Sequence, residues 1–309
     1  MNSIGGVFLV FIIAGTAYGL SLFNPLFDPL VFGIVIGVLV SNLLEGKEEI
    51  KRGSELAIRV FLPVGIATYG FQLRSTPGLD RGMILIIFSI FAALFILTYV
   101  LSRLLKIANS TSTLLATGTS ICGASAIAVV SSAIEEKEHS TSAAILSIMA
   151  EGLILTVFYL ALQELSNTGQ NKLSLLFGST LPMLGLVKVL SSNLSEAFYQ
   201  KALAIKYMRI FFLLFTVPLA MAINSVEKRK IKIPVFMWFF FVFVLAVNTI
   251  TVPDELVRAL SRFSAVCLTI TLSAIGLRTS IDSIATLGFR VFLVPVFVTT
   301  AVALVILLI

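Results

Sequence analysis

The residues that could do chemistry lie mainly in one stretch, residues 112–134. The stretch is apolar and about as long as a membrane-spanning helix, but its middle carries hydroxyls and two glycines where a lipid-facing helix would carry Leu, Ile, Val and Phe. Hydroxyls and free backbone groups can bind a small ion. The candidate ligands fall within nine consecutive positions: Thr117, Gly118, Thr119, Ser120, Cys122, Gly123 and Ser125.

This pattern favours a helix that is broken in the middle of the membrane. Backbone that leaves the helical ladder is tolerated at that depth only beside protein or a water-filled cavity. The start of each half-helix carries unpaired N–H groups and a positive dipole end, which attract anions. The alternative is that small residues only let helices pack closely. The number of side-chain oxygens favours a binding site over packing alone.

A second break is predicted in residues 177–185, where Pro182 interrupts the helix. A shift of 60 positions pairs similar residues: Gly118 with Gly178, and Thr119 with Ser179. The second break adds Ser179 and Thr180 to the candidate ligands.

A further repeat pairs glycines at the ends of two other segments: Gly70 and Gly82 with Gly276 and Gly288. Those segments are predicted to run in opposite directions, as an inverted repeat requires. The two broken segments are predicted to run in parallel unless one of them is re-entrant, and the sequence leaves this choice open.

Four charged residues in apolar segments are functional candidates, because a charge at membrane depth is costly. Glu151 either carries a coupling proton or forms a buried ion pair with Lys188 or Arg209. Lys206 and Arg209 are three residues apart and either address one anion or extend to the membrane interface. Lys188 is a candidate for a fixed positive charge near the second break.

The composition predicts an integral membrane protein of the all-α class. Hydrophobic residues make up 58% of the chain and charged residues 12%, with a mean hydropathy of +1.05. The basic residues that give the net charge of +6 are scattered between the predicted spans. This distribution is explained by the side of the membrane on which each loop lies and does not indicate nucleic-acid binding. The first apolar segment has no basic residues before it and is expected to remain as a span.

The sequence lacks the motifs of several classes of enzyme and of ATP-driven pumps. The sequence has no nucleotide-binding loop, no nucleophile elbow and no His-Glu-x-x-His helix. The single histidine, His139, is predicted to lie in a loop, and no set of metal ligands accompanies it in the sequence. We therefore expect neither an enzyme nor a bound metal or cofactor, apart from a coupling H+ or Na+.

Eleven apolar segments predict a polytopic fold of about 10–11 transmembrane helices. Two charged loops, residues 45–55 and 227–232, fall on the same side. The excess of Lys and Arg there predicts a cytoplasmic N-terminus and, for eleven crossings, an outward C-terminus. The segments are 7–22, 29–44, 56–73, 83–106, 112–134, 142–163, 173–194, 202–223, 234–251, 256–277 and 286–309.

The signature Thr-Gly-Thr-Ser-Ile-Cys-Gly-Ala-Ser-Ala-Ile-Ala at residues 117–128 resembles that of the bacterial YeiH-like membrane family, whose members are often labelled sulfate exporters. Residues 204–209 resemble the Lys-x-x-Arg element of that family, and residues 274–279 resemble its late Gly-Leu motif. The family is similar, more remotely, to the bile-acid/sodium symporters and sodium/proton antiporters. That similarity implies inverted repeats, two broken helices that cross, and a core that moves against a panel or dimerisation domain.

We expect a multi-pass secondary transporter of a small anion, such as sulfate or a sulfonate, in the bacterial inner membrane. It is expected to form one transporter domain over residues 1–309, with the lipid bilayer, the anion and a second copy of the chain in a homodimer as its partners. Two rivals are a sodium/proton antiporter and a receptor or assembly subunit without a transport cycle. The predicted core comprises residues 56–163, 173–223 and 256–309, and the panel comprises 7–44 and 234–251.

Overall fold

The computed structural model describes residues 3–23, 28–44, 48–73, 80–165, 168–224, 235–286 and 288–308. The regular elements of these residues are all helices, which confirms the predicted all-α class. The basic loop 227–232, on which the predicted orientation rests, lies outside the described residues, as do residues 45–47 of the other charged loop. The helices are α1 (Ser3–Phe23), α2 (Pro29–Leu43), α3 (Glu48–Tyr69), α4 (Arg81–Leu104), α5 (Asn109–Ser120), α6 (Ala124–Ala133), α7 (Glu138–Leu165), α8 (Gln170–Thr180), α9 (Leu184–Ser191), α10 (Glu196–Phe211), α11 (Leu213–Asn224), α12 (Val235–Thr249), α13 (Asp254–Leu277), α14 (Ile281–Ala285) and α15 (Arg290–Leu308).

Each of the eleven predicted segments corresponds to one helix or to a pair of consecutive helices. The pairs are α5 with α6, α8 with α9, and α10 with α11. Among the described residues, six helical stretches are long and apolar enough to cross a membrane by length and composition. They are Gly5–Phe23, Arg81–Leu104, Glu138–Glu164, Glu196–Asn224, Asp254–Leu277 and Arg290–Leu308. The protein is therefore a polytopic membrane protein, while the inverted repeats stay a prediction.

The helix ends follow from local chemistry. The Asp28 carboxylate accepts a hydrogen bond of 2.9 Å from the Leu30 amide, and Pro29 occupies the first position of α2, where no N–H is needed. At the other end of the chain, α15 carries Pro295 within its apolar run. Membrane helices tolerate such prolines because neighbouring groups can satisfy the freed carbonyls.

One compact unit, unit 1, contains the described parts of residues 1–74, 131–143 and 225–287. Here α13 packs closely on α2 and α3. A Cβ atom at Gly37 of α2 would lie 2.6 Å from the Ser273 carbonyl oxygen and 3.0 Å from the Cα atom of Gly276. The start of α7 is held by an ion pair of 3.1 Å between Arg278 and Glu138, the first residue of that helix.

The other compact unit, unit 2, contains the described parts of residues 75–130, 144–224 and 288–309. It comprises α4, α5, α8 to α11, α15, and most of α6 and α7. By packing, α3 and α13 group with α1, α2 and α12 in unit 1, whereas the sequence predicts that most of their residues belong to the core. The division into core and panel stays a prediction.

Candidate functional site

The first predicted break lies at residues 121–123. Helix α5 ends at Ser120, α6 begins at Ala124, and the three residues between them form a turn. The Gly123 amide donates to the Gly118 carbonyl at 3.1 Å, and Gly123 itself has a φ of +70°. That region of backbone space suits glycine, because any side chain would be strained there. Gly123, the second glycine of the signature, is therefore the residue at which the helix breaks.

The second break lies at residues 181–183, between the end of α8 at Thr180 and the start of α9 at Leu184. Pro182 has no amide hydrogen and cannot continue the helical ladder. Both predicted breaks are thus confirmed. They also lie close together within unit 2, since a Cβ atom at Gly123 would lie 3.6 Å from the Pro182 carbonyl oxygen.

Lys206 of α10 connects the two breaks. Its side chain is fully buried, and Nζ donates to the Ile121 carbonyl at 2.8 Å, the Leu181 carbonyl at 2.8 Å and the Pro182 carbonyl at 2.7 Å. Only the ammonium form supplies three N–H donors. The geometry therefore indicates a charged lysine whose donors are all used by backbone carbonyls that the breaks have freed from the helices.

Arg209, one turn further along α10, binds the ends of both preceding half-helices. Nε donates to the Ser120 carbonyl at 2.9 Å, and Nη2 donates to the Thr119 carbonyl at 2.8 Å. Nη1 donates to the Gly178 and Leu181 carbonyls at 3.2 and 3.0 Å. These four bonds leave one of the five guanidinium N–H groups without a partner among the described residues, although the side chain is fully buried.

Both cations lie where negative partial charge is concentrated. The C-terminal ends of α5 and α8 each carry unsatisfied carbonyls and about half a negative charge. Because Lys206 and Arg209 are buried with 0% exposure, extension to the membrane interface is not their role in this structure. The alternative that they extend to the interface was therefore wrong.

Glu151 of α7 is the third buried charged residue of the described chain, also with 0% exposure. The Thr299 hydroxyl of α15 donates to Oε1 at 2.6 Å, and the Thr119 hydroxyl of α5 lies 3.4 Å from Oε2. Among the described residues, no ion pair joins Glu151 to Lys188 or Arg209. Hydroxyls from two other helices hold the carboxylate in place.

The remaining candidate hydroxyls mostly bond to their own helices. Thr117 donates to the Thr113 carbonyl at 2.8 Å and Ser120 to the Ala116 carbonyl at 2.6 Å. Ser179 and Thr180 make the same kind of bond four residues back, at 2.5 and 2.6 Å. Such bonds leave hydroxyl lone pairs available and bend helices near their ends. Whether any of these residues binds an ion stays a prediction.

Two other predicted residues have different surroundings. The Cys122 sulfur lies 2.9 Å from the Ser125 hydroxyl, within the first break and its following turn of helix. Lys188 lies on the exposed side of α9, outside the buried charge cluster of Glu151, Lys206 and Arg209. The structure therefore brings the breaks and this cluster together and leaves Lys188 apart.

Sequence reasoning missed two residues at this site. Thr299 binds Glu151, and the Tyr159 hydroxyl lies 2.5 Å from that of Thr180, at the end of α8. Both are polar residues within strongly apolar segments, which is the signal that could have found them. Tyr159 is fully buried, and a buried tyrosine hydroxyl needs a partner of this kind.

Comparison with known proteins identifies the family. The sequence matches the family described as conserved hypothetical protein 698 over residues 5–295. The chain belongs to this family. It is 30% identical to a UPF0324 membrane protein of Archaeoglobus fulgidus over 91% of this chain and 85% of that protein. It is 25% identical to a UPF0324 membrane protein of Oceanobacillus iheyensis over 80% of this chain and 76% of that protein.

These matches confirm the resemblance to the YeiH-like family. A UPF0324 membrane protein of Staphylococcus epidermidis is a further relative, 27% identical over 80% of this chain and 77% of that protein. No solved structure matches the chain. The remote similarity to symporters and antiporters, the inner-membrane location and the orientation stay predictions.

Proposed function

We propose that the protein is a secondary transporter that moves a small anion, such as sulfate or a sulfonate, by alternating access. The observation that carries this proposal is an imbalance of buried charge at two touching helix breaks. Lys206 and Arg209 contribute two positive charges and Glu151 one negative charge, and these are the buried charged side chains of the described residues. The cluster therefore carries one net positive charge.

The helix dipoles do not remove this excess. The C-terminal ends of α5 and α8 contribute about half a negative charge each, and the N-terminal ends of α6 and α9 contribute about half a positive charge each. The four contributions cancel. An uncompensated buried ion costs several kcal/mol, so an anion that neutralises it binds favourably.

Arg209 also supports an anionic cargo. Its guanidinium group retains one N–H that no described residue uses, and guanidinium is well matched to the oxygens of sulfate, sulfonate and carboxylate groups. Lys206 has no such free donor. It would act on the cargo through its charge and through the shape of the breaks, and not by direct contact.

The test is uptake of labelled sulfate by proteoliposomes that contain the purified protein. We expect saturable uptake by the wild type and at least a tenfold loss in Gly123→Trp, because φ at this position is +70° and the second break lies within van der Waals contact. Gly15→Trp is the matched control, since Gly15 is exposed and no atom lies within 4 Å of its Cβ position. Absence of both sulfate and methanesulfonate uptake by the wild type would contradict the proposal.

A second candidate function is sodium/proton antiport. The observation that favours it is the Glu151 carboxylate between two hydroxyl groups, because oxygen ligands of this kind suit a small cation. Under this alternative, sodium added without any permeant anion would dissipate a pH gradient across the proteoliposome membrane. Under the anion proposal, sodium alone leaves that gradient unchanged.

A further inference from the structure

The two oxygens of the Glu151 carboxylate are not equivalent. Oε1 accepts a bond of 2.6 Å from Thr299, which is the length expected for a hydroxyl that donates to an ionised carboxylate. Oε2 has only the Thr119 hydroxyl at 3.4 Å, which is at the limit of a hydrogen bond. Oε2 is therefore the oxygen at which a proton can add without displacing a strong bond.

Glu151 is also the charged group of the cluster that can change its state. Lys206 of α10 needs all three ammonium protons for its three carbonyl partners, and Arg209 of the same helix stays protonated in proteins. Two other titratable groups belong to this region, the Tyr159 hydroxyl on α7 and the Cys122 thiol at the first break, and each already has a hydroxyl neighbour. Protonation of Glu151 changes the net charge of the cluster from one positive to two.

We infer that Glu151 takes up one proton with each divalent anion, so that the protein is a proton–sulfate symporter in which Thr299 positions the proton-carrying carboxylate. This inference rests on the proposed function. A proton from water on one side forms an O–H bond at Oε2 and is released to water on the other side, and no electron is transferred. Proton and anion each favour the binding of the other, because binding free energies are coupled reciprocally.

The coupling is tested in proteoliposomes that contain a trapped pH indicator. We expect an inward sulfate gradient to acidify the lumen with one proton per sulfate, so that one negative charge enters per cycle and an inside-positive potential accelerates uptake. Sulfate uptake by the wild type without proton movement, or uptake that the potential does not affect, would overturn the inference and leave the proposed function standing. Absence of sulfate uptake would overturn the proposed function itself.

Glu151→Gln separates coupling from binding, because glutamine keeps the shape of the protonated acid but cannot release a proton. We expect proton movement per sulfate transported to fall at least tenfold in this variant. Glu164→Gln is the matched control, since Glu164 is exposed on the same helix. Proton movement that persists in Glu151→Gln would overturn the inference.

Substitution of Thr299 should change the pH dependence of sulfate uptake, which loss of a purely structural contact would not change. Its hydroxyl stabilises the ionised carboxylate, so Thr299→Val should shift the pH of half-maximal sulfate uptake upward by about one unit. Thr299→Ser should restore the wild-type profile. Thr300→Val, one position further along α15, controls for loss of a threonine. A wild-type pH profile in Thr299→Val would overturn the positioning role.

Discussion

Lys206 contacts more of the broken backbone than its position in the sequence would suggest. In Lys206→Met, the carbonyls of Ile121, Leu181 and Pro182 lose their donor, and we expect the free energy of unfolding to fall by about 3 kcal/mol. Lys188→Met is the control, because Lys188 is exposed on α9. Thermal unfolding of the purified protein in detergent measures the difference, and equal stability of the two variants would contradict the prediction.

The same variant should also open the first break locally. A Cys267→Ala background leaves Cys122 as the one thiol of the sequence, and Cys122 is 8% exposed beside the Ile121 carbonyl. We expect Lys206→Met to raise the rate at which a thiol-reactive fluorophore labels Cys122 by about tenfold or more, because each tenfold corresponds to about 1.4 kcal/mol of opening free energy. An unchanged rate would mean that Lys206 does not hold the break closed.

The sequence predicts where the helices break, but it does not predict which side chains bind the backbone carbonyls that the breaks free. Gly123 and Pro182 are recognisable because glycine and proline act on their own local backbone. The partners of Lys206 and Arg209 depend on which carbonyls are freed and on how α10 packs against them, and spacing along one helix contains no such information. Thr299 was missed for the same reason, since it lies 148 positions from Glu151.

Helix packing in unit 1 predicts that alanine substitutions at two glycines have opposite effects on the free energy of unfolding. A Cβ atom at Gly37 would lie 2.6 Å from a backbone oxygen of α13, so Gly37→Ala must push α2 and α13 apart at a cost of about 1–3 kcal/mol. Gly15→Ala of α1 meets no atom within 4 Å and should gain about 0.5–1 kcal/mol from helix propensity. Unfolding midpoints of both variants test this contrast, and a change of the same sign in both would contradict it.

The helical segments were predictable because each is a long apolar run, and length and hydropathy alone determine such a run. The consecutive helices α10 and α11 were predicted as one segment, and the chain does continue as an apolar helical stretch over Glu196–Asn224. The grouping of helices into units was harder to predict from the sequence. It depends on contacts such as that of Gly37 with α13, which join residues far apart in the chain.

The lengths of the half-helices bear on the path of the whole chain across the membrane. Helix α5 has 12 residues and α6 has 10, so at about 1.5 Å per residue the two together extend about 33 Å. Helices α8 and α9 have 11 and 8 residues and extend about 28 Å together. Each pair end to end matches the roughly 30 Å hydrocarbon core, whereas a single half-helix covers only about half of it.

We therefore expect both broken pairs to cross once, which gives eleven crossings and places the two chain ends on opposite sides of the membrane. A fluorescent protein that matures only in the cytoplasm should be bright when fused before Met1 and dark when fused after Ile309, and a phosphatase that is active only outside should show the reverse. Truncation fusions in the α6 to α7 connection, near Lys137, then locate the first broken pair directly. If the C-terminal fusion reports the same side as the N-terminal one, the number of crossings is even, and one broken pair is re-entrant while the other crosses.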